Sequence, residues 1–208
     1  MLFEKHRRSI RLPEYDYSET GAYFITICTQ EREFLFGEII NGEMQLNDAG
    51  KMIEMVWNDI PKYYKTIEID AFQIMPNHFH GNVMITNNNN NVGATPRGCP
   101  KTDACGQAHD ACGQAQGPAP TKMTLPDVVH RFKTLTTKKY VDNVNQNNWP
   151  PFDRRLWQRN YFEHIIRDEQ SLNRIREYIV TNPLRWSLDQ NNENDLTEFM
   201  SAFEYKMS

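Results

Sequence analysis

Near the middle of the chain stands Met75-Pro-Asn-His-Phe-His-Gly-Asn-Val-Met-Ile85, two histidines one residue apart directly after a Pro-Asn turn. If the segment is a strand, alternate side chains share a face. His78 and His80 then point one way, and Phe79, Val83 and Ile85 the other. Imidazoles about 6.5 Å apart along a strand can share one divalent cation. Taken alone, two solvent-facing histidines beside a turn are the simpler reading. A histidine-triad phosphate site would want a third histidine at position 82, where the chain has Asn82.

The second constellation is Ser171-Leu-Asn-Arg-Ile-Arg-Glu-Tyr-Ile-Val-Thr-Asn-Pro183. At about 100° per residue, Arg174, Tyr178 and Asn182 lie one above another on a helix face. Leu172, Ile175 and Ile179 form the adjacent apolar stripe. Pro183 ends the helix and biases Asn182 away from helical geometry. The chemistry on offer is a phenol nucleophile one turn from an amide oxygen that completes a metal site. The plainer reading is a half-buried tyrosine and a C-capping asparagine. Tyr140 is a rival nucleophile, but one turn further on the chain has Val144 rather than an amide.

The elements that must position these residues follow from local pattern. Ala22 to Thr29 is β-branched and aromatic, as a strand should be. Asn47 can cap a helix in which Met52, Ile53, Val56 and Trp57 recur at helical spacing. Ile67 to Ile74 alternates, with Ile67, Ile69, Ala71 and Gln73 on one side and Glu68, Asp70 and Phe72 on the other. His78 to Thr86 returns as a strand after the turn. Leu125 to Tyr140 reads as a helix, Tyr161 to Ile166 as a strand and Asp168 to Asn182 as a helix. Strand-helix-strand-strand-helix-strand is the split βαβ, or ferredoxin-like, order. The expected fold is therefore α+β, an antiparallel sheet with helices on one face and a ligand on the other.

A chain of 208 residues and 24.5 kDa can bury a core without staples. With 39% hydrophobic and 24% charged residues it is neither a membrane protein nor wholly disordered. No run approaches the ~18 apolar residues of a membrane-spanning helix. The charged start, with no apolar stretch behind it, shows no secretory signal, so a cytoplasmic protein with free thiols is expected. Asn87 to Asn91 opens a low-complexity stretch to about Thr121 holding the repeat Asp-Ala-Cys-Gly-Gln-Ala at 103–108 and 110–115. It is too poor in large apolar groups to order itself, and reads as a disordered insertion at about 87–121 within one domain, 1–186. The spacing of Cys105, His109 and Cys112 matches no zinc pattern.

The formal charge of −4 hides a division. Residues 122–186 carry 12 basic and 7 acidic side chains, while the extension 187–208 carries 1 and 5. Lys133, Lys138, Lys139, Arg154, Arg155 and Arg159 are candidate phosphate contacts. Trp149, Phe152 and Trp157 interleave with the arginines as a single-strand stacking surface would, or else pack in the core. His130 and His164 read as ordinary histidines.

Together the motifs resemble the REP-associated tyrosine transposases, within the HUH single-tyrosine transposases of the IS-two-hundred type. The carrying residues are Met-Pro-Asn-His78-Phe-His80 and Tyr178-Ile-Val-Thr-Asn182-Pro183. Arg11-Leu-Pro-Glu-Tyr-Asp-Tyr, Gly21-Ala-Tyr-Phe-Ile-Thr-Ile-Cys-Thr and Trp157-Gln-Arg-Asn-Tyr-Phe-Glu-His-Ile-Ile-Arg167 also match the family in order. The resemblance covers roughly residues 7 to 186 apart from the insertion. It implies a ferredoxin-like fold, a divalent metal held by His78, His80 and Asn182, and attack by Tyr178 on single-stranded DNA. Magnesium or manganese fits such nitrogen and oxygen donors, with zinc open on affinity alone. Arg174 would help hold the phenolate, and the product would be a 5′-phosphotyrosine link with a free 3′-hydroxyl. Single-stranded or hairpin DNA is the implied partner, with a homodimer as one assembly and no membrane. Two alternatives remain: a DNA-hairpin binding protein that does no chemistry, and a metal phosphodiesterase using water.

Overall fold

The β-branched and aromatic run expected as a strand forms β1, Gly21–Cys28. A hairpin follows, β2 (Gly37–Ile40) and β3 (Glu43–Leu46), then α1 (Asp48–Tyr63), β4 (Ile67–Met75) and β5 (His78–Ile85). After the insertion come α2 (Leu125–Asn147), β6 (Phe162–Ile166) and α3 (Glu169–Thr181). This is a computed structural model that describes residues 15–86 and 123–186. Arg11 to Glu14 of the opening motif, the insertion with Cys105, His109 and Cys112, and the acidic extension lie outside the described residues.

The main sheet has the order β4-β5-β1-β6, all neighbours antiparallel. With α1 and α2 as the crossovers, this is the ferredoxin-like arrangement. Each helix begins where side-chain chemistry satisfies its free amides. Asn47 Oδ1 accepts from Gly50 N–H at 2.9 Å, and Asp168 accepts from the Ser171 N–H. Thr124 and Asp127 form a reciprocal capping box. Helix α2 runs seven residues past Tyr140, to Asn147, and stops where Asn148 turns left-handed at φ 54°. Its last turns are too polar for periodicity to reveal.

The β2–β3 hairpin was not foreseen from the apolar pattern, because its strands alternate between half-buried and exposed residues. Its signal was Asn41-Gly42, whose φ values of 53° and 79° suit a tight hairpin turn.

The sheet has two faces with different partners. Tyr23, Ile25 and Ile27 of β1 and Phe79, Val83 and Ile85 of β5 pack with Ile53, Val56 and Trp57 of α1 and Val128, Val129 and Phe132 of α2. Gly81 belongs here: a methyl group on it would meet Trp57 Cζ2 and Phe79 Cε1 at 2.8 Å. The opposite face is smaller, with Phe24, Ile166, Leu172, Ile175 and Ile179. Both crossover helices thus share one face, as expected, and α3 adds a helix to the other. Burial of Leu172, Ile175 and Ile179 contributes roughly 1.5–3 kcal/mol each before entropy. That stripe is what holds α3 to its own sheet.

One strand departs from simple alternation. Ile69 pairs with Val83, but Phe72 pairs with Gly81, so Asp70 and Ala71 oppose Asn82 alone. This bulge returns Phe72 and Ile74 to the crossover-helix core, correcting the expectation that Ala71 and Gln73 line up with Ile67 and Ile69. Ala71 packs instead with the α3 cluster.

Candidate active site

The register of β1 against β5 sets Thr26 opposite His80 and Cys28 opposite His78. His80 Nδ1 lies 2.8 Å from Thr26 Oγ1. His78 Nδ1 lies 2.7 Å from Asn77 Oδ1. Asn77 Nδ2 donates to the Arg32 carbonyl, which leaves its Oδ1 as an acceptor. His78 therefore carries its proton on Nδ1 and presents a bare Nε2. That atom faces His80 Nε2 at 3.0 Å.

Neither histidine is the solvent-facing residue that the turn suggested; His78 is 6% and His80 1% exposed. Burial, with the Arg32 charge adding, pushes the His78 imidazole down to about 3. Burial and then the neighbouring His78 hold His80 well below its usual range. Both are neutral near pH 7, and one nitrogen of each is oriented by a second partner. With His78 Nε2 bare, the contact between the rings is a hydrogen bond donated by His80 Nε2–H, and His80 Nδ1 then accepts from the Thr26 hydroxyl.

Helix α3 crosses the same face. The Tyr178 ring sits 5.3 Å from the His80 ring and 6.0 Å from Phe24, edge-on to both. Phe24 in turn stacks on His80 at 5.5 Å. Asn182 is buried, and its Oδ1 has no hydrogen-bond partner among the described residues. Contrary to the proline argument, Asn182 keeps helical dihedrals, φ −56° and ψ −43°. Pro183 is accommodated because the chain passes straight into a 3-10 turn, Asn182–Arg185, with proline in its first positions. No group of three or more His, Cys, Asp or Glu among the described residues is placed to hold a metal. Asn182, the third residue of the motif, is a neutral amide whose oxygen is buried and unpartnered among the described residues.

Tyr140, the rival nucleophile, is fully buried and its hydroxyl donates to the Pro150 carbonyl at 3.0 Å. Trp149 and Phe152 pack edge-on against its ring. Trp157 is also enclosed, its indole N–H donating to Thr136 Oγ1 at 2.8 Å. Trp157 is thus a core residue, while Trp149 and Phe152 are half-buried around Tyr140.

The basic residues separate. Arg155 and Arg159 come together with Gln30, Gln158 and Asn160 around a polar cleft of about 640 Å³. Arg154, left-handed at φ 58°, is exposed beside Asp153. Lys139 lines a different cleft between α1 and α2, with Tyr63, Tyr64 and Arg131, and Lys138 is exposed on the same helix. Lys133 donates to the carbonyls of Gln158, Arg159 and Asn160 and ties α2 to that segment. Arg174 is exposed on α3. His130 is exposed on α2, and His164 pairs with Phe24 in the sheet.

The residues not found from sequence are Thr26 and Asn77, which orient the imidazoles, and Arg176, which grips Asp70. Only Asn77 carried a local signal, the turn before His78. The described cysteine, Cys28, is a free thiol. No helix of the described residues is long and apolar enough to cross a membrane.

No family model matches the chain. Among solved structures, it is similar to the REP associates tyrosine transposase bound to a REP hairpin, with a TM-score of 0.47 at 15% identity over 84% of this chain and 73% of that one. It is also similar to a candidate transposase from Deinococcus radiodurans, with a TM-score of 0.40 at 16% identity over 81% and 94% of the two chains. In sequence it is 42% identical, over 185 residues, to an uncharacterized protein of Haemophilus influenzae, covering 89% of this chain and 92% of that one. At that identity and coverage, the chain belongs to the same family as the uncharacterized Haemophilus influenzae protein.

Proposed function

We propose that the protein is a DNA strand-transfer enzyme of the tyrosine transposase type, with Tyr178 as nucleophile. One observation carries the reading: Tyr178 packs against His80, whose Nε2 faces that of His78 at 3.0 Å. This packing supports the reading, because it sets the ring of the candidate nucleophile against one of the two paired imidazoles. The ordered motifs around His78-Phe-His80 and Tyr178 to Pro183 point to the same chemistry.

His78, His80 and Asn182 would hold the divalent cation, magnesium or manganese. All three are neutral donors, so a bound ion would keep its full charge for polarising the scissile phosphodiester. Tyr178 attacks the phosphorus, a tyrosyl O–P bond forms, and the bond to the 3′ oxygen breaks. The phenol proton passes to solvent and the leaving oxygen becomes a 3′-hydroxyl. Since a phenol near pKa 10 is mostly protonated at neutral pH, its neighbours must favour the phenolate, and Arg174, one turn earlier on α3, would contribute a positive charge. The phosphotyrosine keeps the bond energy, so the step reverses onto a new 3′ end.

The substrate would be single-stranded or hairpin-forming DNA, with Arg155 and Arg159 as phosphate contacts. One chain would supply every side chain of the site, and a homodimer would duplicate it. The test is incubation with 5′- and 3′-labelled hairpin-bearing single strands and manganese, followed by a denaturing gel. Protein attached to the DNA 5′ end, absent in Tyr178→Phe, is the expected result. Cleavage with no covalent species would mean a phosphodiesterase using water. Hairpin binding without cleavage would mean a binding protein.

A further inference from the structure

The loop after β1 is built onto the turn that precedes His78. Thr29 N–H and Oγ1 both donate to the Asn77 carbonyl at 2.9 Å, and Leu35 N–H donates to the Pro76 carbonyl at 2.9 Å. Asn77 closes the arrangement, binding the Arg32 carbonyl with one side-chain atom and His78 with the other. Whatever this loop exposes is therefore presented at a fixed position beside the histidines.

It exposes Arg32 and Phe34. The Phe34 ring is 62% exposed, yet it is not isolated. It stands edge-on to Trp186 at 5.7 Å, and Trp186 lies tilted at 6.1 Å from His78. The three rings form a stair from solvent to the histidine pair. Arg32, also exposed, is close enough for its charge to be felt at His78 and at Cys28. An accessible aromatic face with a cation carried on the same loop matches an unpaired nucleotide, a flat base attached to a phosphate. Trp157 is buried in the core, and Trp149 and Phe152 are half-buried with their rings packed against Tyr140, which leaves Phe34 as the more open ring.

We propose that Phe34, seated on Trp186, is a stacking platform for an unpaired base flanking the phosphate at the His78–His80 centre, with Arg32 holding the adjoining phosphate. The flanking position rests on the strand-transfer reading; the stacking site itself does not. A paired base has both faces covered by its neighbours, so the platform selects single strands over duplex.

The test uses the full chain and a fluorescent mixed-sequence single strand, alongside a matched strand of abasic sites, with affinity read by anisotropy across a salt series. Phe34→Ala should weaken binding to the base-bearing strand about tenfold, and Phe34→Trp should restore it. On the abasic strand Phe34→Ala should equal wild type. Arg32→Ala should weaken both strands and lower the salt slope by about 0.7. Unchanged affinity in Phe34→Ala, equal weakening on both strands, or no single-strand binding by wild type would overturn the proposal. The tyrosine adduct is read separately. A Phe34 effect with no adduct under any condition leaves the stacking site standing and removes strand transfer; a wild-type adduct with no Phe34 effect does the reverse.

Discussion

Arg176 grips Asp70 through two bonds, Nε to Oδ2 at 2.8 Å and Nη2 to Oδ1 at 3.1 Å, joining the helix that carries Tyr178 to the bulge in β4. Asn82, next in line after His80 on the same strand face, donates to the same carboxylate at 3.3 Å. The bulge is what aims Asp70 at α3. The apolar stripe supplies most of the energy that docks the helix, and this fork sets its rotation.

The fork makes stability depend on acid. Burial raises the Asp70 carboxyl, but the Arg176, Ala71 and Asn82 hydrogen bonds outweigh it and hold the group below its ordinary 3.8. A depressed carboxylate stabilises the fold above its unfolded value, and the stabilisation disappears as pH falls through the folded one. The side chains are 37% and 19% exposed, so solvent screening limits the pair to about 1 kcal/mol. Urea unfolding should show Asp70→Asn weaker than wild type at pH 7 and converging with it below pH 3.8. Parallel curves over the whole range would remove the ion pair from the account.

Cation binding should appear as stability before any activity is measured. A ligand present at a hundred times its dissociation constant adds about 2.7 kcal/mol. Saturating manganese should therefore raise the unfolding free energy of wild type by an amount of that order. His78→Ala, His80→Ala and Asn182→Ala should each lose most of the gain. The histidine variants should also be less stable without metal, by about 1–3 kcal/mol, because Thr26 and Asn77 lose buried partners. A manganese gain surviving in His80→Ala would place the cation elsewhere.

The two tyrosines should separate cleanly. Tyr178→Phe should bind single strands as wild type and form no DNA adduct. Tyr140→Phe should keep the adduct and cost about 1 kcal/mol, since its hydroxyl serves the Pro150 carbonyl. An adduct retained in Tyr178→Phe and lost in Tyr140→Phe would exchange their roles.

Gly81 lies in the strand between His80 and Asn82, on the opposite face. Gly81→Ala forces a methyl group against Trp57 and Phe79 at 2.8 Å, and overpacking of this kind costs about 1–3 kcal/mol. Thermal unfolding should fall by several degrees, at about 2–4 °C per kcal/mol for a domain of this class. A shift of under a degree would mean that the rings move aside freely.

What the sequence determined by itself was whatever local rules control. Period-two alternation placed His78 and His80 on one face and Phe79 and Val83 on the other, and capping chemistry at Asn47 located the start of α1. The order of those elements was enough for the ferredoxin-like fold. The helical stripe of Leu172, Ile175 and Ile179 was legible for the same reason, because each rule spans only a few residues. Tertiary structure alone decided the rest. No local pattern says that α3 lies on the histidine face, that the β4 bulge turns Asp70 toward Arg176, or that Thr26 stands opposite His80. Nor could composition say that Lys133 would meet three carbonyls, that Trp157 would be enclosed, or that Phe34 would stay open beside Trp186. Those outcomes depend on register and packing between segments as much as 152 residues apart, as Phe34 and Trp186 are, where side chains compete for the same space and only the folded chain settles the contest.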